Sequence, residues 1–112
     1  MDEAHDVPFG ELPWADDAPG IRAKEVDVGG TRWALVEYGE GVGREEWCEE
    51  GHRGYVLRGE IEYEFDDERA PLRAREGEAF LLPSAPLGGG AHRGHNLARG
   101  PTRLFLIDDA RA

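Results

Sequence analysis

One run near the middle of the chain says more about the fold than any other: Glu46-Trp47-Cys48-Glu49-Glu50-Gly51-His52-Arg53-Gly54-Tyr55-Val56-Leu57-Arg58-Gly59-Glu60. Successive side chains of a β-strand point to opposite faces, so a strand over 52–57 places His52, Gly54 and Val56 on one face. On that face a glycine follows the histidine, and the missing side chain leaves space beside the imidazole. Arg58-Gly59 then supplies a tight turn into the next strand.

The residues after this turn show the clearest alternation in the chain. Over 60–65, Ile61, Tyr63 and Phe65 alternate with three glutamates, which is typical of a strand with one buried and one solvated face. Similar short segments lie between frequent breakers, 16 glycines and 7 prolines in all. They predict eight strands, at 22–28, 31–38, 52–57, 60–65, 72–75, 79–82, 91–97 and 102–108. This spacing indicates an all-β fold, a closed or sandwiched antiparallel barrel.

A second stretch repeats the arrangement of a histidine and a glycine. After Gly77-Glu78-Ala79-Phe80-Leu81-Leu82-Pro83 and a glycine-rich excursion comes Ala91-His92-Arg93-Gly94-His95-Asn96. In a strand here His92, Gly94 and Asn96 share a face, while His95 points the other way to the rim or surface. If the shared face is the inner one, two histidines from separate strands enter the barrel interior.

The chain has 112 residues, enough for one domain. The first twenty residues are polar, with Phe9 and Trp14 as isolated apolar anchors. We therefore predict an N-terminal arm over 1–20, lying over the barrel or a partner subunit, and a single barrel domain over 21–112.

Composition argues against several classes of partner. The net charge is −11, from 24 acidic and 13 basic side chains, so nucleic acid is not an expected partner. No cationic stretch or apolar run of about 18 residues suits a membrane. The start of the sequence lacks a secretory leader, and Cys48, as the single cysteine, has no partner for an internal disulfide. A cytoplasmic location is therefore expected.

The two histidine stretches resemble the paired motifs of the cupin superfamily, H-x-H-x(3,4)-E-x(6)-G and G-x(5)-P-x-G-x(2)-H-x(3)-N. Residues 55–60 look like the centre of the first motif, and counting back from Gly59 places His52 on the family's glutamate, with Cys48 and Glu46 on its two histidines. In the second motif the matching residues are Gly77, Pro83, His92 and Asn96, although the P-x-G is missing. The variant WC-x(3)-H-x(2)-YVL-x-GE is similar to a subgroup of small single-domain bacterial cupins, and the resemblance covers about 22–109.

The resemblance implies a double-stranded β-helix (jelly-roll) barrel, often dimeric, whose motif residues bind a divalent metal. Here those residues are Glu46, Cys48, His52 and His92, and only His92 keeps the family's residue type. A thiolate, two imidazoles and a carboxylate favour zinc, with nickel, iron and manganese as alternatives. Four protein ligands indicate a closed site, whereas three ligands and a water indicate a catalytic one.

Other interpretations of the same residues stay open. The histidines can instead hydrogen-bond in a polar pocket or bind an organic ligand, Cys48 can be a small buried residue, and Glu46 stands among other solvated glutamates. We predict a homodimeric protein that binds a metal, a small polar metabolite, or both. One alternative is an isomerase, epimerase or hydrolase of a sugar-like or acidic metabolite, with His52 or His92 as general base. Another is a non-catalytic dimeric scaffold; the sequence assigns no catalytic residue.

Overall fold

The structure is a computed structural model that describes residues 3–108. Within that range the chain forms nine strands: β1 Ala15–Ala18, β2 Ile21–Val28, β3 Thr31–Tyr38, β4 His52–Arg58, β5 Glu60–Phe65, β6 Leu72–Arg75, β7 Ala79–Leu82, β8 His92–Asn96 and β9 Thr102–Asp108. Two short 3₁₀ turns lie at Phe9–Glu11 and Ala85–Leu87. Over the described part of the chain, no helix has the length and apolar character to cross a bilayer.

The strands form two antiparallel sheets, with β1-β2-β3-β9-β4-β7 in one and β6-β5-β8 in the other. Side chains from the inner faces of both sheets make one core, which includes Val36, Leu104 and Ile61. The connection from β3 to β4 runs along the free side of β8 and is held there by isolated bridges at Gly43 and Cys48. The predicted all-β double-stranded barrel is thus confirmed.

All eight predicted strands are present, with ends within one residue of those predicted, and β1 is the one strand that the sequence did not indicate. Its sequence, Ala-Asp-Asp-Ala, has no apolar alternation, because it is a solvent-exposed edge strand paired only with β2. Phe9, in the described arm, lies on the outer face of the large sheet, where its ring meets the Phe105 ring edge-on at 6.1 Å. Residues 1–2 of the predicted arm and 109–112 of the predicted barrel domain lie outside the described residues.

The inner-face glycines have a different role from the one expected. A Cβ at Gly54 would come within 2.3 Å of Cζ of Phe80, so that ring fills the space that was expected to stay open beside the histidine. A Cβ at Gly94 would lie 2.8 Å from the Tyr38 hydroxyl oxygen and 3.0 Å from Cε1 of Tyr63. Both glycines therefore make room for aromatic rings of the protein itself.

Asn96, at the end of β8, is buried and fully hydrogen-bonded. Its amide donates to the carbonyls of Gly39 and Gly100 at 2.8 and 2.9 Å. Its side-chain oxygen accepts from the Ala98 N–H at 2.8 Å and from the Thr102 hydroxyl at 2.7 Å. These bonds tie three chain segments together at one end of the barrel and fix the strand that carries His92.

Candidate metal site

Three of the four residues predicted as ligands converge inside the barrel. One donor atom from each of Cys48, His52 and His92 lies within 4.8 Å of the others. His52 and His92 begin β4 and β8, and their rings stand 5.1 Å apart at 75°. Cys48 reaches the same place because its backbone N–H and carbonyl both pair with His92, at 2.8 and 2.9 Å.

The spacing of the donor atoms suits a small ion. A tetrahedral zinc ion bound at about 2.0–2.3 Å holds its donors roughly 3.3–3.8 Å apart. Sγ of Cys48 and Nε2 of His52 are separated by 3.7 Å. Only a small movement of His92 is then needed for all three donors to share one ion.

His92 carries the strongest sign that something is bound here. Its side chain is 2% exposed, and neither ring nitrogen has a hydrogen-bond partner in the described structure. Such a buried polar group costs roughly 1–3 kcal/mol when it is left unsatisfied. The Tyr63 ring packs edge-on against the imidazole at 5.6 Å and offers it no acceptor. An ion beside Cys48 and His52 would satisfy one of these nitrogens, so the residues present fit a metal.

Asp108 belongs to the site and was missed by the sequence analysis. Its Oδ1 lies 2.8 Å from Nδ1 of His52, and Nη1 of Arg32 holds the same oxygen at 3.3 Å. A carboxylate here fixes the proton on Nδ1 and leaves Nε2 directed at Cys48. The available signal was strand parity, since Asp108 falls on the same face of β9 as the buried Leu104.

The charges of the metal-free site follow from these contacts. Burial raises the pKa of the Cys48 thiol, but the imidazoles of His52 and His92 beside the sulfur outweigh it and lower the pKa to about 6. Burial lowers the pKa of His52, but the hydrogen bonds with Asp108 and Cys48 outweigh it and raise the pKa to about 9. Near neutral pH the pair is therefore a thiolate and an imidazolium. The thiolate is the form that binds metals, and His52 would bind through Nε2 after releasing the proton on that nitrogen.

Glu46 and His95 lie elsewhere. Glu46, the fourth predicted ligand, is exposed and lines the mouth of the cavity, apart from the cluster formed by the other three residues. His95 is exposed on the opposite face of β8, as its parity predicts.

A cavity of about 440 Å³ opens over the cluster, within the size range of small-molecule sites. Tyr38, Tyr63, Val36 and Leu106 line it together with the cluster. Its charged lining comprises Asp17, Arg32, Arg44, Glu46, Glu50, Arg93 and Asp108. The cavity is thus a polar chamber with the three donors in its wall.

No protein-family model and no curated protein sequence matches this chain. Solved structures do match it. KdgF from Halomonas sp. is 22% identical with a TM-score of 0.73, over 99% of this chain and 96% of that one. An RmlC-like cupin from Shewanella frigidimarina is 14% identical with a TM-score of 0.71, over 97% and 93% of the two chains. The polyketide cyclase RemF from Streptomyces resistomycificus is 15% identical with a TM-score of 0.74, over 97% and 81%. At these identities the likeness is one of fold alone.

Proposed function

The chain has the cupin fold, and within that barrel we propose that Cys48, His52 and His92 bind one divalent metal ion, over which a small polar molecule binds in the cavity. The observation that carries the proposal is the buried imidazole of His92, whose two nitrogens have no hydrogen-bond partner within residues 3–108. Its neighbours are a thiolate and a second, oriented imidazole, which are ligands for a borderline-soft ion.

Zinc suits this donor set best, because it accepts thiolate and imidazole together in a tetrahedral site. Nickel and iron are weaker candidates, and manganese, which favours oxygen ligands, is the weakest. With Glu46 at the mouth, three protein ligands leave one position for water or a bound molecule. The ion would supply Lewis acidity there, and Asp108 would keep His52 in the tautomer that presents Nε2.

The Cys48-His52-Asp108 arrangement favours a second candidate, an enzyme with a cysteine nucleophile. Sulfur, imidazole and carboxylate follow one another at 3.7 and 2.8 Å, which is the order of a thiol activated by an oriented base. This candidate leaves both ring nitrogens of the buried His92 without a hydrogen-bond partner in the described structure, so we rank it second. The isomerase, epimerase or hydrolase activities expected from the sequence, the homodimer, the scaffold and the cytoplasmic location stay predictions.

Metal analysis tests the proposal directly. The protein is purified without a nickel column, stripped with a chelator and titrated with zinc. We expect about one equivalent to bind, and we expect Cys48→Ser and His92→Ala each to weaken binding at least about tenfold. His95→Ala is the matched control, since His95 is three residues from His92 on the outer face of the same strand, and it should bind zinc as the wild type does.

Binding of less than about a tenth of an equivalent, with no uptake on titration, would reject the metal proposal. Alkylation of Cys48 separates the two candidates. A ligating thiolate is protected by zinc, whereas a free nucleophile reacts with iodoacetamide at the same rate with and without the ion.

A further inference from the structure

Two tyrosines from opposite sheets meet at one point of the cavity wall. Tyr38 ends β3 and Tyr63 lies in β5, and their exposed fractions are 2% and 3%. They meet because Gly94 leaves the space between them open: its missing Cβ would lie 2.8 Å from the Tyr38 oxygen and 3.0 Å from Cε1 of Tyr63. Both phenols line the same cavity as the metal cluster.

The two hydroxyls have unused capacity to donate hydrogen bonds. The Tyr38 oxygen accepts a bond from Nε of Arg44 at 3.0 Å, and its own proton has no acceptor among residues 3–108. The Tyr63 hydroxyl has no hydrogen-bond partner at all in that range. Because both tyrosines line one cavity, these two donors call for a ligand that brings an acceptor oxygen.

Arg44 adds a positive charge to the same wall. Nη2 bonds to Oδ2 of Asp17 at 2.6 Å, and Nε bonds to Tyr38, so the guanidinium is fixed in place. A guanidinium has five N–H donors, and these two bonds leave others available. A fixed, planar, charged group of this kind matches the two oxygens of a carboxylate.

The other two arginines of the cavity are more fully engaged. Arg32 bridges Asp108 and Glu25, and Arg93 pairs with Glu64 while it stacks on Trp47 at 4.2 Å. A doubly charged phosphate in this cavity would have only Arg44 to receive it, and the lining carboxylates would repel it. A singly charged oxyanion fits better.

We infer that the cavity takes a small carboxylic acid, whose carboxylate is bound by the hydroxyls of Tyr38 and Tyr63 and by the guanidinium of Arg44. This subsite specifies the ligand class of the proposed function and rests on it, because the acid would lie over the same metal cluster. Its three residues are separate from the metal ligands, so each part can be tested while the other is left intact.

Calorimetric titration tests the subsite. Acetate, malonate and benzoate, each with its neutral amide, are titrated into zinc-loaded and into chelator-stripped protein. We expect at least one acid to bind, and to bind more tightly than its amide. Tyr63→Phe should weaken that binding at least about tenfold, the value of one hydrogen bond to a charged group.

Tyr63→Phe is the more informative variant, since it removes a hydroxyl that has no partner in the described structure. The stability of the fold should therefore be unchanged. Tyr38→Phe should weaken binding in the same way. Tyr55→Phe is the control, because that side chain is 42% exposed on the outer face of β4. All three variants should take up zinc as the wild type does.

Three outcomes would overturn the inference: no acid binds, the amides bind as well as the acids, or Tyr63→Phe binds like Tyr55→Phe. The proposed function fails separately. If the protein takes up no zinc but the acids bind to stripped protein in a Tyr63-dependent way, the metal proposal is wrong and the subsite stands.

Discussion

The unpartnered imidazole of His92 leads to a prediction about stability: the sign of the change in the free energy of unfolding depends on whether zinc is bound. We consider His92→Leu, which replaces the ring with an apolar side chain of similar volume. In the metal-free protein the wild-type ring is buried at 2% exposure without hydrogen bonds. Because an unsatisfied buried polar group costs about 1–3 kcal/mol, the substitution should raise the free energy of unfolding by about that amount.

Excess zinc should remove or reverse this difference in stability between His92→Leu and the wild type. A ligand present at about 100 times its dissociation constant adds about 2.7 kcal/mol to the stability of the wild type. The variant lacks one of the three proposed ligands and should gain far less. Wild type is therefore the less stable of the two proteins in chelator, and equals or exceeds the variant in excess zinc.

Urea unfolding followed by circular dichroism measures both differences. With a slope of about 1–3 kcal/mol per molar urea, the expected change moves the midpoint by about 1 M. His95→Leu is the control, since it changes an exposed histidine of the same strand. If His92→Leu destabilises the chelated protein by more than about 1 kcal/mol, or gains as much from zinc as the wild type, the account of this residue is wrong.

Three further predictions concern stability and are measured by the same unfolding experiment. Asn96→Ala removes the hydrogen bonds that join three segments and should cost about 3–5 kcal/mol; a cost below 1 kcal/mol would contradict this role. Gly54→Ala puts a Cβ 2.3 Å from Cζ of Phe80 and should cost about 1–3 kcal/mol by overpacking; an unchanged midpoint would show that the ring moves freely. Burial raises the pKa of Glu37, but the bonds from Arg103 and Arg22 outweigh it and lower the pKa. Glu37→Gln should therefore cost about 1 kcal/mol above pH 5 and progressively less as the pH falls through the lowered pKa; a cost independent of pH would exclude the charge as its cause.

Strand parity accounts for most of what could be predicted from the sequence. It grouped His52 with Gly54 and Val56, and His92 with Gly94 and Asn96, because period-two alternation is a local property, visible in the residues themselves. Which of the two faces is the inner one stayed a condition of the prediction. Parity did not by itself bring the two rings together. That convergence depends on β4 and β8 lying in different sheets whose inner faces meet, which is a property of the whole fold.

The residues whose surroundings the sequence did not reveal are those that depend on distant partners. In the sequence Asp108 is only the last residue of a predicted strand. The pairing of β9 with β4 places it opposite His52. Glu46 and Cys48 are two positions apart, yet only Cys48 lies against the backbone of His92. The sequence suggests open space at Gly54, beside His52, but the Phe80 ring of β7 occupies it. In each case the missing information was the cross-strand neighbour.

The bond between Asp17 and Arg44 joins the edge of the large sheet to the cavity wall. Asp17 lies in β1, an exposed edge strand that pairs with β2, so detaching β1 from the barrel breaks a single strand pairing. Detaching it would remove Asp17 from the cavity wall and leave the guanidinium of Arg44 with its bond to the Tyr38 hydroxyl. A fusion tag or antibody fragment that displaces β1 is therefore expected to alter what the cavity binds.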